Sequence, residues 1–226
     1  MKKISILLIL SLFCFKIHAQ NSAEDKLGTW YMYNGSHKIS EKIALKTMAH
    51  FRYYELANEF QQEIYRLGAN YTFTPKTNFT FGLSYATADT AYDTPSPNLY
   101  EWRFYEDLNL KSKWGNLNAK HRFRFEQRFI HRDLITDQFQ NWLRYDLNIS
   151  YPISENWQAY VFNELFLNLD RGKRFAQNWT GAGLTHKVNN LIILKMGYFQ
   201  IKTPDNIFKR LQLGVILNTN HIKKTK

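Results

Sequence analysis

Hydrophobic and polar residues alternate with a period of two along most of this chain. In residues 119–129, Phe123, Phe125 and Phe129 occupy odd positions, whereas four cationic residues and Glu126 occupy even ones. Successive side chains of a β-strand point to opposite faces, so this stretch is predicted to be a strand with one apolar and one charged face. The same alternation recurs in segments 42–54, 61–74, 79–85, 98–112, 141–152, 156–169, 192–198 and 211–218, and more weakly in 27–35 and 176–188.

The connections between these segments alternate in length. Short turns are predicted at 74–78, 113–116, 153–156 and 188–190, and longer polar links at 87–98, 131–140 and 169–177. Short turns at one end and long loops at the other are typical of outer-membrane barrels. The pattern therefore predicts an all-β fold, an antiparallel up-and-down transmembrane β-barrel of about 10–12 strands. Because bacterial single-chain barrels have even strand numbers, segment 27–35 is expected to lie outside the wall, giving ten strands, or a further strand is hidden, giving twelve.

Strand length and aromatic placement favour a membrane over water. Several segments exceed the nine to eleven residues that cross a bilayer, whereas strands of soluble proteins usually have about five or six. Aromatic residues lie beside the predicted turns, as in the belts at membrane interfaces; they are Phe73, Phe79, Trp114, Tyr151 and Trp157. Lipid offers no hydrogen bonds to an unpaired strand edge, so such a sheet must close. A soluble periplasmic ligand-binding barrel is the alternative.

The N-terminus has the composition of an export signal. A basic start at residues 1–3 precedes the apolar run Ile4 to Phe15, and Ala19 provides a small residue for cleavage. We therefore expect a signal peptide at 1–19 and a barrel domain at 20–226. Cys14, the one cysteine, lies in the signal, so the mature chain has no disulfide or thiolate metal site. Removal of three signal lysines lowers the formal net charge from +11 to +8.

The charged faces of the strands are the candidate functional site. We expect them to line the lumen as a network of ion pairs, because charges buried in a barrel are tolerable only when paired or hydrated. Glu106 departs from the alternation, and a β-bulge would return it to the polar face. The predicted lumen-lining residues are Lys120, Arg122, Arg124, Glu126, Arg128, Arg103, Asp107, Arg144, Asp146 and Glu164.

These features predict an integral outer-membrane protein, either structural or forming a narrow anion-preferring solute passage. The expected partners are outer-membrane lipid, the barrel-assembly machinery during insertion and a small anionic solute; nucleic acid is not expected for an exported protein. No cofactor, metal site or catalytic residue is predicted, and the chain is not expected to be an enzyme. An outer-membrane lipid-active hydrolase remains an alternative, although Ser84, Ser150, His50 and His121 have no spacing typical of a catalytic site.

Four sequence features resemble an uncharacterised family of Gram-negative bacteria, the domain-of-unknown-function family 2490. They are Trp30, residues 103–108 (RFYEDL), residues 122–128 (RFRFEQR) and residues 142–145 (WLRY). The resemblance covers most of the mature chain. It implies an outer-membrane barrel and brings no known catalytic residues.

Overall fold

A computed structural model describes residues 22–94, 98–133, 135–170, 172 and 174–222. The predicted signal peptide, residues 1–19, lies outside the described residues. Within the described part the fold is all-β, as predicted. Its strands are β1 (Leu27–Lys38), β2 (Ile43–Tyr53), β3 (Phe60–Thr74), β4 (Thr77–Ala88), β5 (Leu99–Trp114), β6 (Leu117–Arg132), β7 (Ile135–Pro152), β8 (Trp157–Asn168), β9 (Phe175–Lys187), β10 (Ile192–Lys202) and β11 (Ile207–Asn220).

The described strands form one closed barrel in which each strand pairs with its sequence neighbours. All of these neighbour pairs are antiparallel, and the barrel closes through a parallel pairing of β1 with β11. The predicted range of about 10–12 strands is confirmed, with eleven strands in the described chain. The expectation of an even number, ten or twelve, is wrong, because β1 is a wall strand and the described strands are eleven. An odd number of up-and-down strands leaves the first and last strands running in the same direction, so their pairing must be parallel.

The two ends of the barrel differ in their connections. At the end that we call the short-turn end, the links are 39–42, 75–76, 115–116, 153–156 and 188–191. The opposite end, the long-loop end, carries 54–59, 89–98, 133–134, 169–174 and 203–206. The loop predicted at 131–140 is wrong, because β6 and β7 continue through it and only two residues separate them. The polar side chains of that stretch had suggested a loop, but they belong to paired strands.

The two faces of the barrel wall have opposite character. The outer face carries exposed aromatic and aliphatic side chains over its whole height, among them Phe51, Leu67, Phe81, Phe104 and Met196. Arginine and carboxylate side chains of the same strands are buried in the interior. Among the described residues, no helix has the length and apolar character needed to cross a bilayer.

The strand register shows that the predicted bulge at Glu106 is wrong. Glu106 pairs with Phe81 on one side and Phe125 on the other, and both registers continue through it without a shift. Its side chain therefore lies on the apolar outer face among phenylalanines. One of its carboxylate oxygens is buried and has no hydrogen-bond partner in the structure.

Candidate functional site in the barrel interior

Glu126 on β6 is the centre of the charge network inside the barrel. Its Oε1 accepts hydrogen bonds from Arg144 Nη1 at 2.9 Å, Arg66 Nη2 at 3.3 Å and Arg124 Nη1 at 3.4 Å. The Glu126 side chain is 1% exposed. A carboxylate can be buried this deeply because three guanidinium groups from β3, β6 and β7 surround it.

Two further groups of ion pairs extend this network. Asp107 accepts two hydrogen bonds from Arg124, at 2.5 and 2.7 Å, in the bidentate geometry that suits guanidinium and carboxylate. Nearer the long-loop end, Glu101 accepts from both Arg103 and Arg128. The Asp107–Arg124 and Glu101–Arg128 pairs join the neighbouring strands β5 and β6, so they strengthen the wall as well as fill the lumen.

The structure places all ten predicted lumen residues in the interior. Glu164 accepts hydrogen bonds from Arg144 Nε at 2.9 Å and from Arg122 Nη2 at 2.7 Å, and Asp146 lies 3.7 Å from Arg122. Lys120 also faces the interior, but it has no ion-pair partner among the described residues. The sequence analysis did not include Arg52, Arg66 or Arg210, although Arg52 and Arg66 also lie on polar positions of their strands.

An aromatic cluster packs inside the barrel, on the side of Glu126 towards the long-loop end. Trp30 packs edge-on against Trp179 and Phe199, with ring centroids 5.0 and 4.8 Å apart. Phe166 packs on Trp179 at 4.5 Å, and the guanidinium of Arg52 stacks 3.6 Å from the centre of a Trp30 ring. We call these five residues the aromatic plug.

The aromatic plug was not predicted from the sequence. Trp30, Phe166, Trp179 and Phe199 belong to the polar face of their strands, where the alternation led us to expect hydrophilic side chains. The available signal was an aromatic residue out of phase with its neighbours, as Phe199 is with Tyr198 and Met196. Four such residues on separate strands indicate a packed interior layer rather than an open channel.

Two interior tyrosines lie over glycines of neighbouring strands. Tyr105 covers Gly68 and Gly82, where an added Cβ atom would come 2.5 and 2.6 Å from the tyrosine side chain. Tyr160 covers Gly183 and Gly197 in the same way. The Tyr160 hydroxyl donates to the carbonyl of Met196 at 3.1 Å and accepts from Gln212 Nε2 at 2.9 Å. The glycines at these positions are needed because a side chain would displace the ring.

A cavity of about 600 Å³ occupies the middle of the barrel and the half towards the short-turn end. Its wall includes Asn34, Lys46, Lys111, Lys120, Ser150 and Asn218. Residues of the long-loop end, such as Glu101 and Ile201, do not line it. Lys111 and Lys120 are exposed to solvent, which shows that the cavity opens at the short-turn end. The cavity therefore opens at the short-turn end, and Trp30, Trp179 and Phe199 of the aromatic plug line its other end.

The described residues offer no arrangement typical of hydrolytic or metal chemistry. No described serine is hydrogen-bonded to a histidine: Ser84 accepts from Arg66, His50 contacts Asn34, and His121 contacts Tyr145. Within the same ranges, no three histidine, cysteine, aspartate or glutamate side chains come together as metal ligands. The hydrolase alternative has no constellation of described residues in its favour.

A small polar cluster lies outside the strands at the long-loop end. Glu55 accepts a hydrogen bond of 2.6 Å from the Tyr92 hydroxyl and lies 3.2 Å from the ammonium of Lys26. The hydrogen bond from Tyr92 and the interaction with Lys26 lower the pKa of the Glu55 carboxyl. These contacts attach the segment before β1 to two loops of this end.

The chain is similar to a protein family of unknown function and to a solved structure. The model of a family described as protein of unknown function, DUF2490, matches residues 27–211, which confirms the resemblance seen in the sequence. No curated protein matches the chain. Among solved structures, LpxR from Salmonella typhimurium is similar, with a TM-score of 0.43 and 8% sequence identity over 77% of this chain and 83% of that one.

Proposed function

The chain belongs to the DUF2490 family. From this and from the geometry of the barrel, we propose that the protein is an integral outer-membrane barrel whose lumen is closed in its resting state. The observation that carries the proposal is the distribution of side chains across the wall. Exposed rings and aliphatic chains cover the outside, whereas paired arginines and carboxylates fill the inside. A soluble barrel would have the opposite arrangement, because water would surround it and its core would be apolar.

The outer surface supports the membrane assignment in detail. Aromatic side chains stand beside the short turns, with Phe73 57% and Trp114 60% exposed. Such rings fit the head-group region, where one part of the side chain contacts hydrocarbon and the other contacts water. Every described strand has at least eleven residues, enough to cross the hydrocarbon layer at a tilt.

The resting state is proposed to be closed because two layers obstruct the lumen. The aromatic plug occupies one layer, and the ion pairs of Glu101 with Arg103 and Arg128 occupy the next. Trp30, Phe166, Phe199, Glu101 and Arg103 of these layers are buried. In this state the protein strengthens the membrane or presents its loops and chamber, and it does not conduct.

A second candidate function is an anion-preferring passage, for which the charge of the chamber is the specific observation. Nine arginine and lysine residues line the cavity, compared with three aspartate and glutamate residues. An excess of positive charge in a narrow lumen attracts anions and repels cations. Conduction through this route requires movement of the aromatic plug.

Membrane fractionation tests the proposed location. We expect the protein to sediment with outer membranes, to resist extraction with alkaline carbonate, and to migrate faster on a gel when unheated than when boiled, because a closed barrel stays folded in detergent. Recovery of the folded protein in the soluble periplasmic fraction would contradict the proposal and favour the soluble ligand-binding barrel.

Glu106 provides a test of which face meets lipid. It lies midway along β5 on the apolar face, so a membrane surrounds its carboxylate with hydrocarbon. Glu106→Leu is expected to raise the free energy of unfolding by about 1–2 kcal/mol, since acidic side chains on the lipid face cost somewhat less than basic ones. The measurement is urea unfolding in lipid vesicles, with Glu155→Leu in a short turn as control. A destabilised Glu106→Leu variant would contradict the lipid-facing assignment.

A further inference from the structure

Four lysines in the chamber differ from the arginines around them. Each of the arginines Arg66, Arg122, Arg124 and Arg144 is paired with an interior carboxylate. The ammonium groups of Lys46, Lys111, Lys120 and Lys195 have no carboxylate within ion-pair distance among the described residues. These four arginines therefore have a structural function, and the fifth chamber arginine, Arg52, is held by Gln62 and the Trp30 ring. This leaves the lysines available for another function.

The contacts of these lysines are weak or neutral. Lys46 donates to the hydroxyl of Ser36 at 2.7 Å, and Lys195 lies 4.6 Å from the centre of the Tyr160 ring. No hydrogen bond or ion pair joins Lys111 or Lys120 to another described side chain. Lys46 is near enough to both of them for the charges to repel, and Lys195 is near enough to Lys120. Asp146 attracts Lys120 and Lys195 from beyond ion-pair distance and offsets part of this repulsion, whereas the charged neighbours of Lys46 are the cations Lys120 and Lys111. A bound anion would neutralise the remaining positive charge.

The rest of the chamber wall suits a hydrated anion. The polar neutral residues on this half are Asn34, Ser36, Asn78, Asn109, Asn148, Ser150, Gln158, Thr185 and Asn218. Their amides and hydroxyls can donate hydrogen bonds to oxyanion oxygens. The volume, about 600 Å³, lies within the range of small-molecule sites. Met48 and Ile216 also line this half, but the lysines, amides and hydroxyls supply its charged and hydrogen-bonding groups.

We propose that the chamber is a binding site for a small, multiply charged phosphate-type anion, which Lys46, Lys111, Lys120 and Lys195 hold by charge. Lysine is a common ligand of phosphate as a flexible point charge, and four of them favour a ligand with several negative charges over one with a single charge. The ligand enters from the short-turn end because the other end is blocked. This inference rests on the proposed function only in assigning that entrance to the periplasmic side.

Calorimetric titration of the detergent-purified full chain tests the site. Inorganic triphosphate is the probe, and orthophosphate is the comparison. We expect triphosphate to bind at least about tenfold more tightly than orthophosphate, and its affinity to fall steeply with added salt because the attraction is electrostatic. Substitution of all four lysines by glutamine is expected to weaken triphosphate binding about tenfold or more.

The matched control replaces four exposed lysines that do not line the chamber, Lys42, Lys187, Lys202 and Lys209, by glutamine. It removes the same net charge and is expected to leave binding within about twofold of the wild type. All variants are first checked for folding by heat-modifiable migration. If the fourfold glutamine variant does not fold, two variants replace it: the double variant Lys46→Gln with Lys195→Gln, and a variant in which arginine replaces all four lysines and keeps their charge.

Absence of triphosphate binding at millimolar concentration would overturn the site. Equal loss of binding in the chamber and control variants would overturn it as well. Because binding is measured on purified folded protein, its failure is distinct from a failure of membrane fractionation, which bears on the proposed location alone.

Discussion

Replacement of Glu126 by glutamine is expected to lower the free energy of unfolding by roughly 3–5 kcal/mol, the cost of removing one partner from a buried ion-pair network. The carboxylate is the common acceptor for Arg66, Arg124 and Arg144. Arg124 and Arg144 keep Asp107 and Glu164 as partners, but Arg66 loses its ion-pair partner and keeps only the hydroxyl of Ser84. Three guanidinium groups then face one another in a buried space.

Urea unfolding in lipid vesicles, followed by tryptophan fluorescence, measures this change. The control is Glu155→Gln in the turn 153–156, which removes an exposed carboxylate and is expected to alter stability by less than about 0.5 kcal/mol. A double variant, Glu126→Gln with Arg66→Gln, is expected to recover part of the loss, because it removes the unpaired charge as well. Equal stability of Glu126→Gln and the wild type would show that water, rather than Glu126, neutralises these arginines.

Truncation of two tryptophans in the aromatic plug is expected to convert a silent barrel into a conducting one. Trp30→Ala with Trp179→Ala removes two of the rings that meet Phe199 and Phe166 across the lumen. The wild type is expected to show no steady current in a planar bilayer. The double variant is expected to show at least about tenfold more current, with anions permeating preferentially because nine cationic residues, Arg52 of the plug among them, line the chamber.

The matched control truncates two exposed tryptophans on the outer face, Trp102 and Trp114, and is expected to stay silent. Heat-modifiable migration verifies that each variant is folded before its current is measured. A folded plug variant without current would show that the ion pairs of Glu101 alone close the lumen. Cation preference in the variant would contradict the anion passage.

The period-two alternation was sufficient to predict most of the wall. In residues 119–129 every even side chain from Lys120 to Arg128 lies inside, as its position in the pattern indicated. The pattern succeeds because a paired strand in a barrel has only two faces, so one charged residue determines the orientation of its neighbours. The loop predicted at 131–140 was wrong, because its polar residues continue as strand. At Glu106 the alternation itself holds, and only the predicted bulge was wrong, because the acidic residue stays on the apolar face.

The candidate site was predictable only in part. The positions of its charged residues in the strands predict that they face the lumen. Their division into paired arginines and unpaired lysines cannot be predicted in this way, because partners such as Arg66 on β3 and Glu126 on β6 meet across the lumen. The aromatic plug likewise joins β1, β8, β9 and β10, which are distant in sequence. Local patterns contain no information about which side chains meet across an enclosed space.

The sequence by itself determined an all-β chain of long, two-faced strands, with aromatic residues near the turns and a strongly basic polar face. Tertiary structure alone decided the strand number and the parallel closure of β1 on β11, since closure depends on the number of strands and on the pairing of the two edges. It also decided which aromatic side chains meet inside the barrel, because the plug joins β1, β8, β9 and β10. The reason is physical: alternation is a property of one strand, whereas closure, obstruction and the neutralisation of charge are properties of side chains brought together from opposite walls.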